Sequence, residues 1–109
     1  MSKFKLKSYY GKKITLCGST KFKKDFKLVN MWLSLNGILV YSLPCFSQSE
    51  GHSFSQSELD TLELVQYNKI DSSIGLFVIN VDGYIGEGTK KEIEFAKEVV
   101  IAFKQAQRE

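Results

Sequence analysis

The sequence predicts a small α/β domain: a doubly wound sheet of about four parallel strands with helices on both faces. Short apolar, β-branched runs alternate along the chain with longer segments whose apolar residues recur at helical spacing. Strands that alternate with helices pair in parallel through right-handed crossovers. The 109 residues, 43% of them hydrophobic, are enough for one core and too few for two independent domains, so residues 1–109 read as a single domain.

Residues 1–11 form a basic arm in which lysines alternate with aromatics, and the net charge of +3 is weighted toward the residues up to Lys27. Aromatics among lysines are one way to grip single-stranded nucleic acid. A charge excess confined to one end is weak support for that role, and the arm reads as a solvated lead into the first strand. That strand is "KKITLCG", residues 12–18, and "GILVYSLP", residues 37–44, is the second. Between them Phe22, Phe26, Val29 and Leu33 mark one face of an amphipathic helix, Lys21, Lys23, Lys24 and Lys27 are interleaved, and Asn36-Gly37 supplies the stop. Trp32 and the phenylalanines of this helix read as packing residues.

"CFSQSEGHSFSQSE", residues 45–58, has no periodicity and reads as a long surface loop of the kind that serves as a lid. Residues 59–70 form a second helix, with Ser55 and Glu58 at capping-box spacing before it and Asp71 as a turn or cap residue after it. "IGLFVIN", residues 74–80, is a third buried strand. Residues 89–98 form the third helix, 99–103 a fourth strand, and 104–109 a polar tail. The chain has no apolar run of about 18 residues and no signal-peptide pattern, so a soluble, cytoplasmic protein without membrane contact is expected. Cys17 and Cys45 lack metal-ligand spacing and read as free thiols; no metal site is expected.

In a doubly wound sheet the ligand lies beyond the carboxyl ends of the strands. The loops at residues 18–20, 45–57 and 81–89 therefore share one rim. On it, Gly18-Ser19-Thr20 offers close backbone approach and free N–H groups to a phosphate or sugar hydroxyl; the alternative is that Ser19 or Thr20 only caps the helix. Neither G-x-x-x-x-G-K-[ST] nor G-x-G-x-x-G occurs. Across the rim, "GYIGEGTKKEIEFA" gives Glu92 two readings. With Thr89 it has capping-box spacing; beside a glycine loop at the ligand end of a sheet, it is also placed as a nucleophile or base toward a sugar carbon. His52, the single histidine, lies in the lid, where it is either solvated or able to protonate a leaving group. Tyr84 either stacks on a base or packs over the glycine loop.

The segments "ITLCGSTKF", "KIDSSIGLFVIN" and "GYIGEGTKKEIEFA" together resemble the nucleoside 2-deoxyribosyltransferase-like superfamily, in particular its short phage or mobile-element members, over residues 12–103. The resemblance implies a flavodoxin-like or Rossmann-like fold and cleavage of the N-glycosidic bond of a deoxynucleoside or nucleoside 5′-monophosphate, by hydrolysis or deoxyribosyl transfer. It implies a Glu nucleophile, which "EIEFA" matches with Glu92, and no cofactor. Gly18, Ser19 and Thr20 match the family's first sugar or phosphate loop, and Gly83, Tyr84, Gly86, Gly88 and Thr89 its second. Active members usually carry an Asp one helical turn before "I-D-x-S", where Gln66 stands here; Glu63 and His52 are the substitute candidates for leaving-group acid. That departure supports an alternative, a nucleotide-binding or sensing module of the same fold without turnover. Nucleic acid is the least favoured partner. A homo-oligomer, at least a dimer, is expected through the helix carrying Leu62, Val65 and Tyr67.

Overall fold

The computed structural model describes residues 6–96 together with the backbone of a final strand at 99–102. Strand β1 (Lys13–Gly18) leads into helix α1 (Lys23–Leu35) and strand β2 (Leu39–Tyr41). A short helix α2 (Ser47–Glu50) precedes the long α3 (Gln56–Ser72), then strand β3 (Gly75–Ile79), helix α4 (Glu87–Phe95) and strand β4 (Val99–Ala102). The sheet order is β2-β1-β3-β4, and every pairing is parallel. The chain is thus a mixed α/β protein whose parallel sheet rests on three strands described with side chains, with β4 continuing the edge as backbone. No helix among the described residues is long and apolar enough to cross a membrane.

Alternation along β1 and β3 assigns the two faces. Ile14, Leu16, Phe77 and Ile79 join Phe26, Val29 and Leu33 of α1 in one cluster, with Leu6, Tyr9 and Trp32 packed at its margin. Cys17, Leu76 and Val78 point the other way, toward Ile70 of α3 and, more peripherally, Tyr67, Ile93 and Ala96. Helices therefore cover both faces, α1 one and α3 with α4 the other.

The first helix stops where its sequence signal predicts. Asn36, Gly37 and Ile38 return their N–H groups to Leu33 and Ser34 carbonyls, and Gly37 adopts φ +83°, with the Tyr10 ring where a Cβ would stand. The capping box of α3 is complete: Glu58 N–H donates to Ser55 Oγ at 3.1 Å, and Ser55 N–H to Glu58 Oε1 at 2.9 Å.

Several boundaries differ from expectation. Helix α3 starts at Gln56 rather than at residue 59 and runs to Ser72 rather than 70. The second strand shrinks to three residues because the turn that ends α1 occupies Gly37 and Ile38. The lid is not structureless: α2 forms within it, its first turn closed by the Glu50 carboxylate on Phe46 N–H at 3.0 Å and ended by Gly51 at φ +77°. Helix α4 begins two residues earlier, with Gly86 rather than Thr89 at the cap. Within the basic arm, Leu6–Tyr9 is a 3-10 turn that packs Leu6 and Tyr9 onto the core; residues 1–5 and the tail at 104–109 lie outside the described residues.

Candidate active site

The carboxyl ends of β1 and β3 are pulled together by Gly18. It sits at φ +153°, and a Cβ there would meet Ile79 O at 2.6 Å, so glycine lets the two strand ends close. The chain then turns through Ser19, whose carbonyl accepts from Phe22 N–H at 3.1 Å and whose Oγ accepts from Lys21 N–H at 3.3 Å. Neither Ser19 nor Thr20 caps α1; the cap position is Phe22, without a side-chain bond. Thr20 instead serves the lid. Its Oγ1 accepts from Gln48 N–H at 3.2 Å and lies 3.5 Å from Ser47 Oγ, while Ser49 Oγ donates to Lys21 O at 3.1 Å. Lys23 Nζ completes the clasp on Glu50 at 2.8 Å.

Beneath that clasp lies a cavity of about 240 Å³. Its polar wall comes from Thr20, Ser47, Glu63, Gln66 and Glu92; its apolar wall from Leu43, Pro44, Phe54, Leu59 and Leu62; Cys45 lines it as well. Cys45 is a half-exposed free thiol, whereas Cys17 is buried in the sheet.

Glu92 is not a capping residue. With Gly86 at the cap of α4 and no side-chain cap bond, the Thr89–Glu92 spacing is used differently: Thr89 is buried, and Glu92, one turn on, is partly buried against α3. Gln66 Nε2 donates to Glu92 Oε1 at 3.3 Å and to Leu16 O at 3.1 Å. The Leu16 carbonyl can only accept, which fixes the amide with its nitrogen on that side. Gln66 Oε1 is then buried without a hydrogen-bond partner among the described residues.

The electrostatics follow from this placement. Burial pushes the Glu92 carboxyl up to about 7, with the Glu63 charge adding to the rise and the Gln66 bond opposing it. The Cys17 thiol is raised by burial first and by Glu92 second, and the Tyr67 phenol by burial and then by Glu63, Glu92 and Glu94. A carboxyl that titrates near neutrality in a cleft is suited to chemistry that needs either protonation state.

No family model matches the chain, and neither does any curated protein or solved structure.

The cavity brings together Thr20, Glu63, Gln66 and Glu92, drawn from the first loop, α3 and α4. Gly18 lies behind Thr20 as a strand-packing residue, and Ser19 stands outside the wall. The glycine loop is a separate patch of the rim. Asp82 at φ 54° and Gly83 at φ 79° turn the chain back after β3. Tyr84 then lies under Lys21, whose Nζ is 3.6 Å from the ring centroid, with its ring edge-on to Phe22. Gly86 packs near the Tyr84 ring, and Gly88 is open on its Cα side. His52 does not line the cavity: its Nε2 lies 3.1 Å from Glu50 Oε1, and its ring stacks on Phe54, which does. Among the described residues no group of three or more His, Cys, Asp or Glu is arranged to hold a metal ion.

Sequence reasoning noted Gln66 only as a departure and did not foresee its contact with Glu92. The available signal was its position on the stripe Leu62–Gln66–Ile70, where a polar side chain faces inward on a helix. Phe54, Cys45 and Ser47 carried no comparable signal, because a segment without periodicity does not reveal which side chains it turns inward.

Proposed function

We propose that this chain is an N-glycosidase of the nucleoside 2-deoxyribosyltransferase-like superfamily, on a flavodoxin-like or Rossmann-like sheet, acting on a deoxynucleoside or nucleoside 5′-monophosphate. The observation that carries this reading is the Glu92 carboxylate, partly buried in a cavity wall, held by Gln66 and free of the capping duty that was its simplest alternative. In the proposed reaction one oxygen of ionised Glu92 attacks C1′ of the sugar. The C1′–N bond breaks, and its electron pair leaves on the base nitrogen, which takes a proton from water. Water, or a second base, then opens the ester between Glu92 and C1′ and returns the carboxylate. The rim bearing Ser19, Lys21 and Tyr84 is where the sugar or its phosphate extends beyond the cavity. No cofactor takes part.

Because attack needs the ionised form and burial pushes the carboxyl up to about 7, activity rises with pH and levels off above about 7. Release of free base from a panel of deoxynucleosides and monophosphates tests the reading directly. Glu92→Gln lowers release by about a hundredfold or more, since an amide is not a carboxylate nucleophile. A panel left intact removes the proposal, and near-full activity in the variant removes Glu92 from it.

A second reading, a nucleotide-binding module without turnover, is favoured by Gln66, a neutral side chain that offers no proton where active family members carry an acid. It predicts thermal shifts with intact ligands. Self-association belongs to the same proposal. On α3, Leu64 and Val65 are exposed, whereas Leu62 lines the cavity and Tyr67 packs on Phe95 with ring centroids 4.8 Å apart. A dimer through the Leu64–Val65 side is expected; a clean monomer by light scattering at micromolar concentration removes it.

A further inference from the structure

Helix α1 is apolar on two sides. Phe26, Val29 and Leu33 enter the core, and Leu28, Met31 and Leu35 lie about 180° around the helix from them, at 3.6 residues per turn. These three face solvent, with Met31 55% and Leu35 79% exposed. Lys24 and Lys27, one turn before Leu28 and Met31, are exposed along the same line, whereas Asp25, the one acid of this helix, is half-buried. At the end of the stripe Leu35 borders a cleft of about 420 Å³ that it shares with Leu6, Lys7, Tyr10 and Asn36. A surface helix needs one apolar stripe to join its core, so a second on the solvent side marks a contact surface.

The outer side of α3 has the opposite charge. Leu64, 61% exposed, and Val65 stand there with Asp60 one turn before Leu64 and Asp71 two turns after it. Lys69, the one basic residue of α3, donates from its Nζ to Ser42 O at 2.8 Å. We propose that the outer face of α1 docks on the outer face of α3 in a second copy of this chain. Leu28, Met31 and Leu35 then meet Leu64 and Val65, and Lys24 and Lys27 meet the carboxylates of α3. Pairing α1 with α1, or α3 with α3, gathers like charges across the contact and is disfavoured for that reason. Because α1 and α3 cover opposite faces of the sheet, each copy that docks by one face leaves the other open. The contact is therefore heterologous, and it extends into a ring or an open chain instead of closing at two. It names what covers the Leu64–Val65 side and does not depend on the glycosidase reading.

Sedimentation equilibrium of the full chain gives an average mass that climbs with concentration past two chains. Met31→Gln with Leu35→Gln blocks one face, and Leu64→Gln with Val65→Gln blocks the other. All four positions are exposed and Gln is a good helix former, so both variants fold, as thermal melting checks. Each variant alone is a monomer, since its intact face finds only a blocked one. Mixed one to one they form a dimer and nothing larger, because one supplies α3 and the other α1. Lys24→Glu with Lys27→Glu keeps the apolar stripe and weakens association by about tenfold or more, through like charges brought together. A parent that is monomeric at about 100 μM, a parent that stops at a dimer, a mixture that stays monomeric, or association undiminished by the lysine reversal overturns the proposal. A dimer lost only in the α3 variant keeps the Leu64–Val65 association and loses this inference. Base release is read separately, and its failure leaves this contact in place.

Discussion

On the α1 side of the sheet, Phe26, Val29 and Leu33 meet Ile14, Leu16, Phe77 and Ile79, and each is essentially removed from solvent. On the opposite side, Cys17, Leu76 and Val78 find Ile70 alone as a buried apolar partner among the described residues, and Gln66, Thr15 and Ser73 carry polar groups into the same layer. Thr15 Oγ1 pairs with Ser73 Oγ at 2.8 Å and donates to Lys69 O at 3.0 Å, so these hydroxyls are satisfied, while Gln66 Oε1 and the Glu92 carboxylate are less so. One face is therefore packed for stability. The other gives up dry packing to hold partly buried polar groups beside a cavity, the pattern expected where a site is kept strained for use.

The comparison breaks first at Phe26. Phe26→Ala removes a fully buried ring from the dry face and costs about 3–5 kcal/mol in urea denaturation. A cost near 1 kcal/mol would mean that this side collapses around the loss and is no better packed than the other.

A smaller effect, opposite in sign, belongs to Glu92. Its carboxyl is raised from 4.5 to about 7, so the folded state holds a proton that the unfolded chain releases between those values. Below 4.5 the group is neutral in both states and costs nothing. As pH climbs toward 7 and beyond, folding must bury a charge, and stability falls. Glu92→Gln therefore stabilises the protein at pH 8 by roughly 2 kcal/mol, after allowance for residual solvent at a partly buried group, and has little effect at pH 4. The groups facing this carboxyl are Glu63 and Tyr67 on α3 and Cys17 on β1, and of these Glu63 supplies the repulsion. Thermal melts of parent and variant that run parallel across this range would show that the polar face carries no such penalty.

The contrast is sharpened at the mouth of the cavity. Ser55→Ala opens the capping box of α3 and lowers stability by about 1 kcal/mol, read as a shift in the denaturation midpoint. Smallest is Glu50→Gln. Lys23 and the Phe46 N–H hold this exposed carboxyl down to about 2, so the clasp persists at ordinary pH and is lost only as pH falls toward that value. The variant speeds hydrogen exchange at Gly51 and His52, whose N–H groups bond to Ser47 O, and leaves global stability nearly unchanged. Added salt reproduces the effect in the parent if the ion pair is responsible.

Periodicity and punctuation were enough to read β1, α1, α3 and β3. Phe26-Val29-Leu33 is a local signal, as are Asn36-Gly37 and Ser55-x-x-Glu58, because helix faces, stops and caps are decided within a few residues of chain. Helix α2 escaped notice because its stability comes from Thr20, Lys21 and Lys23, about 28 residues away in sequence. The start of α4 escaped for a related reason: Thr89-x-x-Glu92 has the right spacing for a capping box, but Thr89 is buried and Glu92 is drawn to Gln66.

By itself the sequence determined the alternation of strands and helices, the parallel sheet it implies, and the candidacy of Glu92 at its carboxyl end, since each depends on spacing along the chain. Which role Glu92 fills was open between two local geometries of similar plausibility. Tertiary structure removed the capping one, by setting α3 against α4 so that a Gln amide on one helix meets the carboxylate of the other over the end of β1. Desolvation, charge repulsion from Glu63 and the unmet oxygen of Gln66 depend on distances through space between segments far apart in the chain, and no pattern within one segment encodes them.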